Sequence, residues 1–124
     1  MQSNGIIFIL SAPSGTGKST VCKLLKQKLP DLKFSISHTT REPRDGEAEG
    51  TAYHFISQKE FEKKITRGEF LEWAKVHKKC YGTTFESADR HRQDGEDVLI
   101  ELDVQGAQSL RDINYKAVFI FMMP

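Results

Sequence analysis

The sequence has few cysteines, no long hydrophobic run and no excess of charge of one sign. Cys22 and Cys80 lack the spacing of a metal finger or a disulfide framework, which suits a reducing compartment. The longest apolar runs, residues 6–10 and 117–123, fall far short of the roughly 20 residues that a membrane helix needs. Lys and Arg number 18 against 17 Asp and Glu, which argues against a polybasic nucleic-acid binder. These absences predict a cytoplasmic domain without a nucleic-acid or membrane partner.

The apolar residues that are present follow a pattern typical of an α/β fold. At 124 residues, the chain has the usual size of one compact domain. Residues 6–10 are an unbroken apolar run, which predicts a strand buried on both faces of a parallel sheet. A Gly-rich turn follows, and then a predicted helix that ends near Pro30. Its predicted apolar face consists of Val21, Leu24, Leu25 and Leu29.

The rest of the chain alternates between predicted strands and helices. Ser57 and Glu60 form a capping box for a short helix, which Gly68 is expected to end. The other predicted strands are residues 34–37, 70–76, 98–102 and 117–121, of which the last two are expected to be buried. Predicted helices at 84–94 and 107–113 complete the pattern. Because the sequence stops after an apolar strand with no covering helix, we expect it to be incomplete on its C-terminal side.

Residues 12–19, APSGTGKS, carry the strongest chemical signal. They match the phosphate-loop pattern G-x-x-x-x-G-K-[ST] except at the first position, where Ala12 replaces Gly. Glycines in this loop allow successive backbone N–H groups to point at one anion, and the following helix adds its positive N-terminal end. Lys18 can reach the β- and γ-phosphates, and Ser19 can bind Mg²⁺ together with water molecules. The predicted nucleotide-phosphate ligands are Ser14, Gly15, Thr16, Gly17, Lys18, Ser19 and Thr20.

A second candidate phosphate site contains Arg41 and Arg44, three residues apart around a rigid Pro43. Two planar guanidiniums suit a phosphate monoester better than lysines do, because each guanidinium makes bidentate hydrogen bonds. The same residues also allow a solvated basic turn whose charge is balanced by Glu42 and Asp45.

These segments together resemble the guanylate kinase family across essentially the whole chain. The matching stretches are SAPSGTGKST, SISHTTREPRDGE, the region of Tyr53, FLEWAKVHKKCYGT and IELDVQGAQ, in the family's order. The resemblance implies an α/β fold with a P-loop parallel-sheet core at 1–34 and 84–124 and an inserted, mixed α+β GMP-binding lobe at 35–83. It also implies an enzyme that transfers the γ-phosphoryl group of ATP to GMP, giving ADP and GDP, with Mg²⁺ as cofactor.

The resemblance implies a role for each matching side chain. The residues that match the GMP-phosphate ligands are Arg41, Arg44, Tyr53 and Tyr81. Those that match the guanine-reading residues are Ser37, Glu72 and Thr83. A carboxylate can accept hydrogen bonds from N1–H and the amino group of guanine, and hydroxyls can donate to O6. Asp103 matches an acidic residue beside the acceptor nucleotide and the metal, and Lys18 and Arg41 are the catalytic candidates.

Two departures from the family pattern are Ala12 and Glu101, where the family usually has Asp. Family members also continue into a lid whose arginines engage the donor phosphates, and no such segment can be placed before Pro124. We therefore expect a truncated chain with poor catalysis. Two alternatives stay open: a catalytically inactive guanylate-kinase-like binding module, and a kinase for another nucleoside monophosphate. The sequence sets no oligomeric state.

Overall fold

The computed structural model describes residues 4–13 and 17–123, apart from the side chain of Ser19. In chain order, the elements of these residues are β1 (Ile7–Ser11), α1 (Lys18–Lys28), β2 (Lys33–Phe34), β3 (His38–Thr39), β4 (His54–Phe55), α2 (Gln58–Thr66), β5 (Phe70–Val76), β6 (Lys79–Thr84), α3 (Phe85–Gln93), β7 (Val98–Leu102), α4 (Val104–Asp112) and β8 (Val118–Phe121). The chain divides into two compact units, each described by itself below. The sheet unit comprises Met1–Ser35 and Ala88–Pro124, and the inserted unit comprises Ile36–Ser87.

The sheet unit is built on a four-stranded parallel sheet with the strand order β2-β7-β1-β8. Ile9 of β1 lies in register with Ile100 of β7 on one side and with Phe119 of β8 on the other. Both isoleucines are almost completely buried. Apolar side chains on both faces of the central strands explain why their sequences are nearly continuous apolar runs.

The inserted unit contains a second four-stranded sheet, with the order β4-β3-β6-β5. β3 and β4 are parallel, whereas the β3–β6 and β5–β6 pairs are antiparallel. Helix α2 covers this sheet through Phe61, which packs with Phe70 and Cys80 in a small buried cluster. The Ser57 hydroxyl accepts a hydrogen bond from the Glu60 N–H at 3.1 Å, so Ser57 is the N-cap of the helix, which is one of the two contacts of a capping box.

The predicted α/β fold, with a parallel sheet and a mixed inserted unit, is confirmed. β5 and β7 have the predicted bounds. Gly68, with a φ of 67°, follows the end of α2 as predicted. No helix in the described part of the chain has the length and apolar character needed to cross a membrane.

Four local predictions are wrong. Leu24 and Leu29 are about half exposed, because α1 packs through Val21, Cys22 and Leu25 instead. The strand predicted at 34–37 does not form, because β2 ends at Phe34 and β3 begins at His38, and the two strands belong to different sheets. β8 is not buried, because it lies at an edge of the parallel sheet of the described residues. Helix α4 begins at Val104 rather than at residue 107, since Asp103 caps it.

Candidate functional site

The predicted phosphate loop follows β1 in the sheet unit. Ala12, the departure from the loop pattern, is buried, so its small side chain is accommodated. Ser14, Gly15 and Thr16 lie outside the described residues, as does the side chain of Ser19. Gly17 caps α1 with a left-handed φ of 87°, a conformation that favours glycine strongly over residues with a Cβ.

Lys18, the first residue of α1, reaches across to the next strand. Its Nζ donates a hydrogen bond to the Leu102 carbonyl at 3.1 Å, at the carboxyl end of β7. β7 is the parallel neighbour of β1, so the carboxyl end of β1 and this carbonyl lie at the same edge of the sheet. The arrangement holds the ammonium group where the candidate nucleotide site is expected, because ligands of open parallel sheets bind beyond the carboxyl ends of the strands. Thr20 is exposed on α1.

Cys22 of α1 and Glu101 of β7 interact within the sheet unit. Burial raises the pKa of the Cys22 thiol to about 12, and a hydrogen bond with Glu101 adds to the effect. The thiol therefore stays protonated at neutral pH and packs with Leu10 and Leu99 rather than acting as a nucleophile. Glu101 occupies one of the two positions that depart from the family pattern, and its carboxylate faces a protein partner.

Asp103 follows β7 directly and begins α4. Its carboxylate accepts a hydrogen bond from the Gly106 N–H at 2.6 Å, which is an N-cap contact. Sequence reasoning assigned this residue only to the nucleotide site and missed its structural role. The backbone at Asp103 is adjacent to the carbonyl of Leu102 that Lys18 contacts.

In the inserted unit, the three predicted guanine-reading residues lie on neighbouring strands or just before one. The hydroxyls of Ser37 and Thr83 are 3.1 Å apart, and either can donate to the other. Glu72 lies opposite Thr83 in the β5–β6 register, after a bulge that shifts the pairing beyond Phe70. Thr83 is 1% exposed, so its hydroxyl needs a hydrogen-bonding partner in the fold.

The predicted phosphate site is centred on Arg41, just after β3. Its Nη1 and Nη2 atoms donate to the two carboxylate oxygens of Glu47, at 2.9 and 3.1 Å. Nη1 also donates to the Glu42 carbonyl at 3.0 Å. The backbone N–H of Arg44 donates to Glu47 at 2.8 Å, while the Arg44 residue itself is exposed. The fork with Glu47 raises the pKa of Arg41 and lowers that of Glu47, so both groups are charged at neutral pH.

The two predicted tyrosine ligands adjoin this guanidinium. The Arg41 guanidinium lies 5.1 Å from the centroid of the Tyr53 ring, and the Tyr53 and Tyr81 rings meet edge to face at 6.0 Å. Both hydroxyls contribute, after Glu47, to the raised pKa of Arg41. Of the predicted phosphate ligands, Arg41, Tyr53 and Tyr81 are therefore brought together, whereas Arg44 joins them only through its backbone contact with Glu47.

A histidine pair lies beside these residues. The His38 and His54 rings are 4.7 Å apart, and Glu49 accepts hydrogen bonds from the Phe55 N–H at 2.7 Å and pairs with the His54 ring at 2.9 Å. Burial lowers the pKa of His38 to about 4, and His54 adds to the effect, so His38 is neutral at physiological pH.

The sequence did not predict the contacts of the Glu47 and Glu49 carboxylates. Glu47 ends the stretch SISHTTREPRDGE, in which Glu42 and Asp45 were expected to balance the arginines. In the structure Arg41 forms its ion pair with Glu47 instead, because the turn at Gly46, with a φ of 84°, brings the chain back toward Arg41. The spacing Arg-x-x-Arg-x-x-Glu was the available signal.

Comparison with known proteins places these residues in a family. A family model for guanylate kinase matches residues 5–124. The guanylate kinases of Geobacter metallireducens and Caldanaerobacter subterraneus are 44% and 45% identical to the chain over 124 residues, which is 100% of this chain and 61% and 60% of theirs.

A solved structure agrees with the sequence matches. The crystal structure of guanylate kinase from Anaplasma phagocytophilum matches 99% of this chain and 62% of its own, with a TM-score of 0.73 and 35% identity. The chain thus spans about 60% of the length of the relatives that it matches. The chain belongs to the guanylate kinase family.

Proposed function

We propose that the chain binds GMP through its inserted unit and ATP through its sheet unit, and transfers the γ-phosphoryl group of ATP to GMP to give ADP and GDP. The observation that carries the proposal is that the inserted unit contains two sets of polar side chains, one suited to a phosphate and one suited to guanine. Arg41 with two tyrosines suits a phosphate monoester, and a carboxylate beside two hydroxyls suits guanine. We assign GMP binding to residues 35–83 and ATP binding to residues 1–34 and 84–124.

Guanine recognition follows from the hydrogen-bonding capacity of the base-reading residues. In the Ser37–Thr83 pair one hydroxyl hydrogen is used between the two oxygens, and the second is available to a carbonyl such as O6. The Glu72 carboxylate accepts from N1–H and the amino group. Adenine presents an acceptor at N1 and a donor amine at the position of O6, so it would leave these polar groups mismatched.

The acceptor phosphate is held by Arg41, Arg44, Tyr53 and Tyr81. Phosphoryl transfer needs little covalent help from a protein, because alignment of the two nucleotides and neutralisation of charge supply most of the catalysis. Lys18 and Arg41 are the cations that we assign to the transferred group. The Lys18 ammonium exchanges its contact with the Leu102 carbonyl for donor phosphate oxygens when ATP binds.

Guanylate kinases use ATP with Mg²⁺. A hydroxyl ligand suits this ion chemically, because Mg²⁺ prefers oxygen ligands and retains several waters. We assign the hydroxyl of Ser19 as the protein ligand of this ion. We assign Asp103 to a position beside the acceptor nucleotide and the ion. When bound, Mg²⁺ neutralises charge on the β- and γ-phosphate oxygens.

Calorimetric titration with GMP and, separately, with AMP tests the acceptor site. We expect saturable GMP binding and no AMP binding. Glu72→Gln should weaken GMP binding by at least about tenfold, since one of the two acceptor contacts to guanine becomes a donor. Glu62→Gln, on the exposed face of α2, is the matched control and should bind GMP like the parent chain.

Two further measurements separate the activity from simple binding. Formation of GDP from ATP and GMP, followed by ³¹P NMR with Mg²⁺, should disappear in Lys18→Ala while GMP binding is retained. A chain that binds GMP but forms no GDP under any condition would instead be a binding module. Equal affinity for GMP and AMP would contradict the guanine-reading role. The cytoplasmic location and the absence of nucleic-acid and membrane partners stay predictions.

A further inference from the structure

Glu47 has no role in the proposed function, yet it contacts both arginines of the candidate phosphate site. Its two carboxylate oxygens accept from both terminal nitrogens of Arg41, and Oε1 also accepts from the Arg44 N–H. The side chains of Arg41 and Glu47 are only 11% and 22% exposed. One carboxylate thus contacts both arginine residues of the site, one through its side chain and the other through its backbone.

The geometry of the guanidinium indicates which of its edges the carboxylate occupies. A guanidinium has five N–H donors, and the end formed by Nη1 and Nη2 is directed at Glu47. The second Nη1–H donates to the Glu42 carbonyl. The donors that these contacts leave, on Nε and Nη2, form the side-on fork of the guanidinium, which matches a pair of phosphate oxygens. The hydroxyls of Tyr53 and Tyr81, two of the other predicted phosphate ligands, also interact with this guanidinium. The guanidinium also lies over the ring of Tyr53.

We propose that Glu47 is a positioning residue for the acceptor phosphate. The Arg44 N–H anchors the carboxylate, and the carboxylate fixes the guanidinium of Arg41 with its side-on fork directed at the phosphate. This inference rests on the proposed function, because it assumes that Arg41 binds the phosphate of GMP. Preorganisation of a long side chain removes rotamer entropy that binding would otherwise have to overcome.

Two effects of Glu47 on GMP binding have opposite signs. Its negative charge opposes a phosphate dianion, so removal of the charge alone would tighten GMP binding. Its fork orients Arg41, so loss of the fork would weaken GMP binding. Orientation dominates, because the guanidinium of Arg41 donates three hydrogen bonds to Glu42 and Glu47 and lies over the Tyr53 ring. If the carboxylate merely occupied the place of the phosphate, its removal would tighten GMP binding.

Glu47→Gln tests this balance, since glutamine has nearly the shape of glutamate but lacks the charge and one of the two acceptors. Calorimetric titrations with GMP and with guanosine separate phosphate contacts from base contacts. We expect the Kd for GMP to rise about tenfold and the Kd for guanosine to stay within about twofold. Glu49→Gln is the matched control, because Glu49 lies two residues away and pairs with His54 and Phe55 rather than with Arg41. Its GMP affinity should be unchanged.

A double-mutant cycle with Arg41→Lys distinguishes positioning from a general structural role. Lysine cannot form the fork, so Glu47→Gln should have no further effect on GMP affinity in the Arg41→Lys background. A tenfold loss that persisted there, or equal losses for GMP and guanosine, would show that Glu47 only stabilises the loop. Tighter GMP binding by Glu47→Gln would overturn the proposal in favour of competition. A parent chain that bound guanosine but gained nothing from the phosphate would overturn the proposed phosphate site, and this role with it.

Discussion

The sheet unit and the inserted unit bury side chains of different kinds. In the sheet unit the central strands bury isoleucine, leucine and valine, and Ser11 is its one buried polar residue among those described. In the inserted unit Thr39, Thr83 and Thr84 are buried beside a small cluster around Phe61. Each of these threonine hydroxyls has a hydrogen-bonding partner. The first unit is thus packed by apolar contacts, and the second depends on matched polar groups.

This difference has a functional meaning under the proposed function. An apolar sheet positions the carboxyl end of β7, where Lys18 donates to the Leu102 carbonyl. A polar interior places hydroxyls and carboxylates where a base can be read, at the cost of fewer apolar contacts. The comparison predicts that the two units respond differently to the loss of apolar volume, to added volume and to protonation.

The largest effect is expected from Ile9→Ala in the sheet unit. Ile9 is fully buried between two neighbouring strands, so truncation leaves a cavity and should lower the free energy of unfolding by about 2 to 5 kcal/mol. Chemical denaturation followed by circular dichroism measures the loss. Ile113→Ala is the control, since Ile113 is 61% exposed and its truncation should change stability by less than about 0.5 kcal/mol. Equal effects of the two variants would contradict the assignment of the core.

A smaller effect is expected from Gly82→Ala in the inserted unit. A Cβ at this position would lie 2.8 Å from the Phe70 ring and 2.9 Å from the Cβ of Trp73. Overpacking of this kind costs about 1 to 3 kcal/mol. Because Gly82 lies between Tyr81 and Thr83, the variant should also weaken GMP binding, which Ile9→Ala should not do in the folded chain.

Two readouts check the Gly82 prediction. Trp73, the single tryptophan of the chain, lies in β5 and follows unfolding of the inserted unit by fluorescence. Calorimetry follows GMP binding. Lys79→Ala, at the exposed start of the same strand, should leave both unchanged. A Gly82→Ala chain with normal stability and normal GMP affinity would show that the close contact relaxes without moving its neighbours.

The same contrast explains how much of the molecule could be predicted from its sequence. Continuous apolar runs identified β1 and β7, because their side chains are buried on both faces. No such pattern marks β3 and β4, which have two residues each and are set by pairing with β6 and with each other. β6 was also missed, since its polar residues face a hydrogen-bonded interior.

In the candidate site, too, contacts that depend on tertiary pairing could not be predicted from local sequence patterns. The phosphate-loop pattern predicts Lys18 as a site residue from local spacing alone. The assignment of Ser37 and Thr83 came from the resemblance to a family, because 46 residues separate two hydroxyls that meet at 3.1 Å. Glu47 was missed although it is close in sequence to Arg41, because its contact depends on a turn with a positive φ at Gly46. Tertiary pairing, not local pattern, sets most of the polar contacts of the inserted unit.

The smallest effect is expected from pH, and it should be confined to the inserted unit. Burial beside His54 and Lys64 lowers the pKa of His38 to about 4, with Glu49 and Glu86 partly opposing the shift. Unfolded chains take up a proton on this histidine below about pH 6.5, whereas the folded chain does not. Stability contributed by neutral His38 is therefore lost as the pH falls from about 6.5 toward 4. The loss should be modest, because the residue is only partly buried.

His38→Phe removes the titration while keeping an aromatic ring against His54 and Phe70. The decrease in unfolding midpoint between about pH 7 and about pH 5, followed by Trp73 fluorescence, should be smaller in this variant than in the parent chain. His77→Asn, in the exposed β5–β6 turn, should retain the parent dependence. Above about pH 5 the carboxylates of Glu47 and Glu49, whose pKa values are lowered by their partners, stay ionised and do not contribute. If the unfolding midpoint of His38→Phe decreased with pH as much as that of the parent chain, protonation of other groups would govern the acid sensitivity. The polar interior of the inserted unit would then tolerate a charge as readily as the surface does.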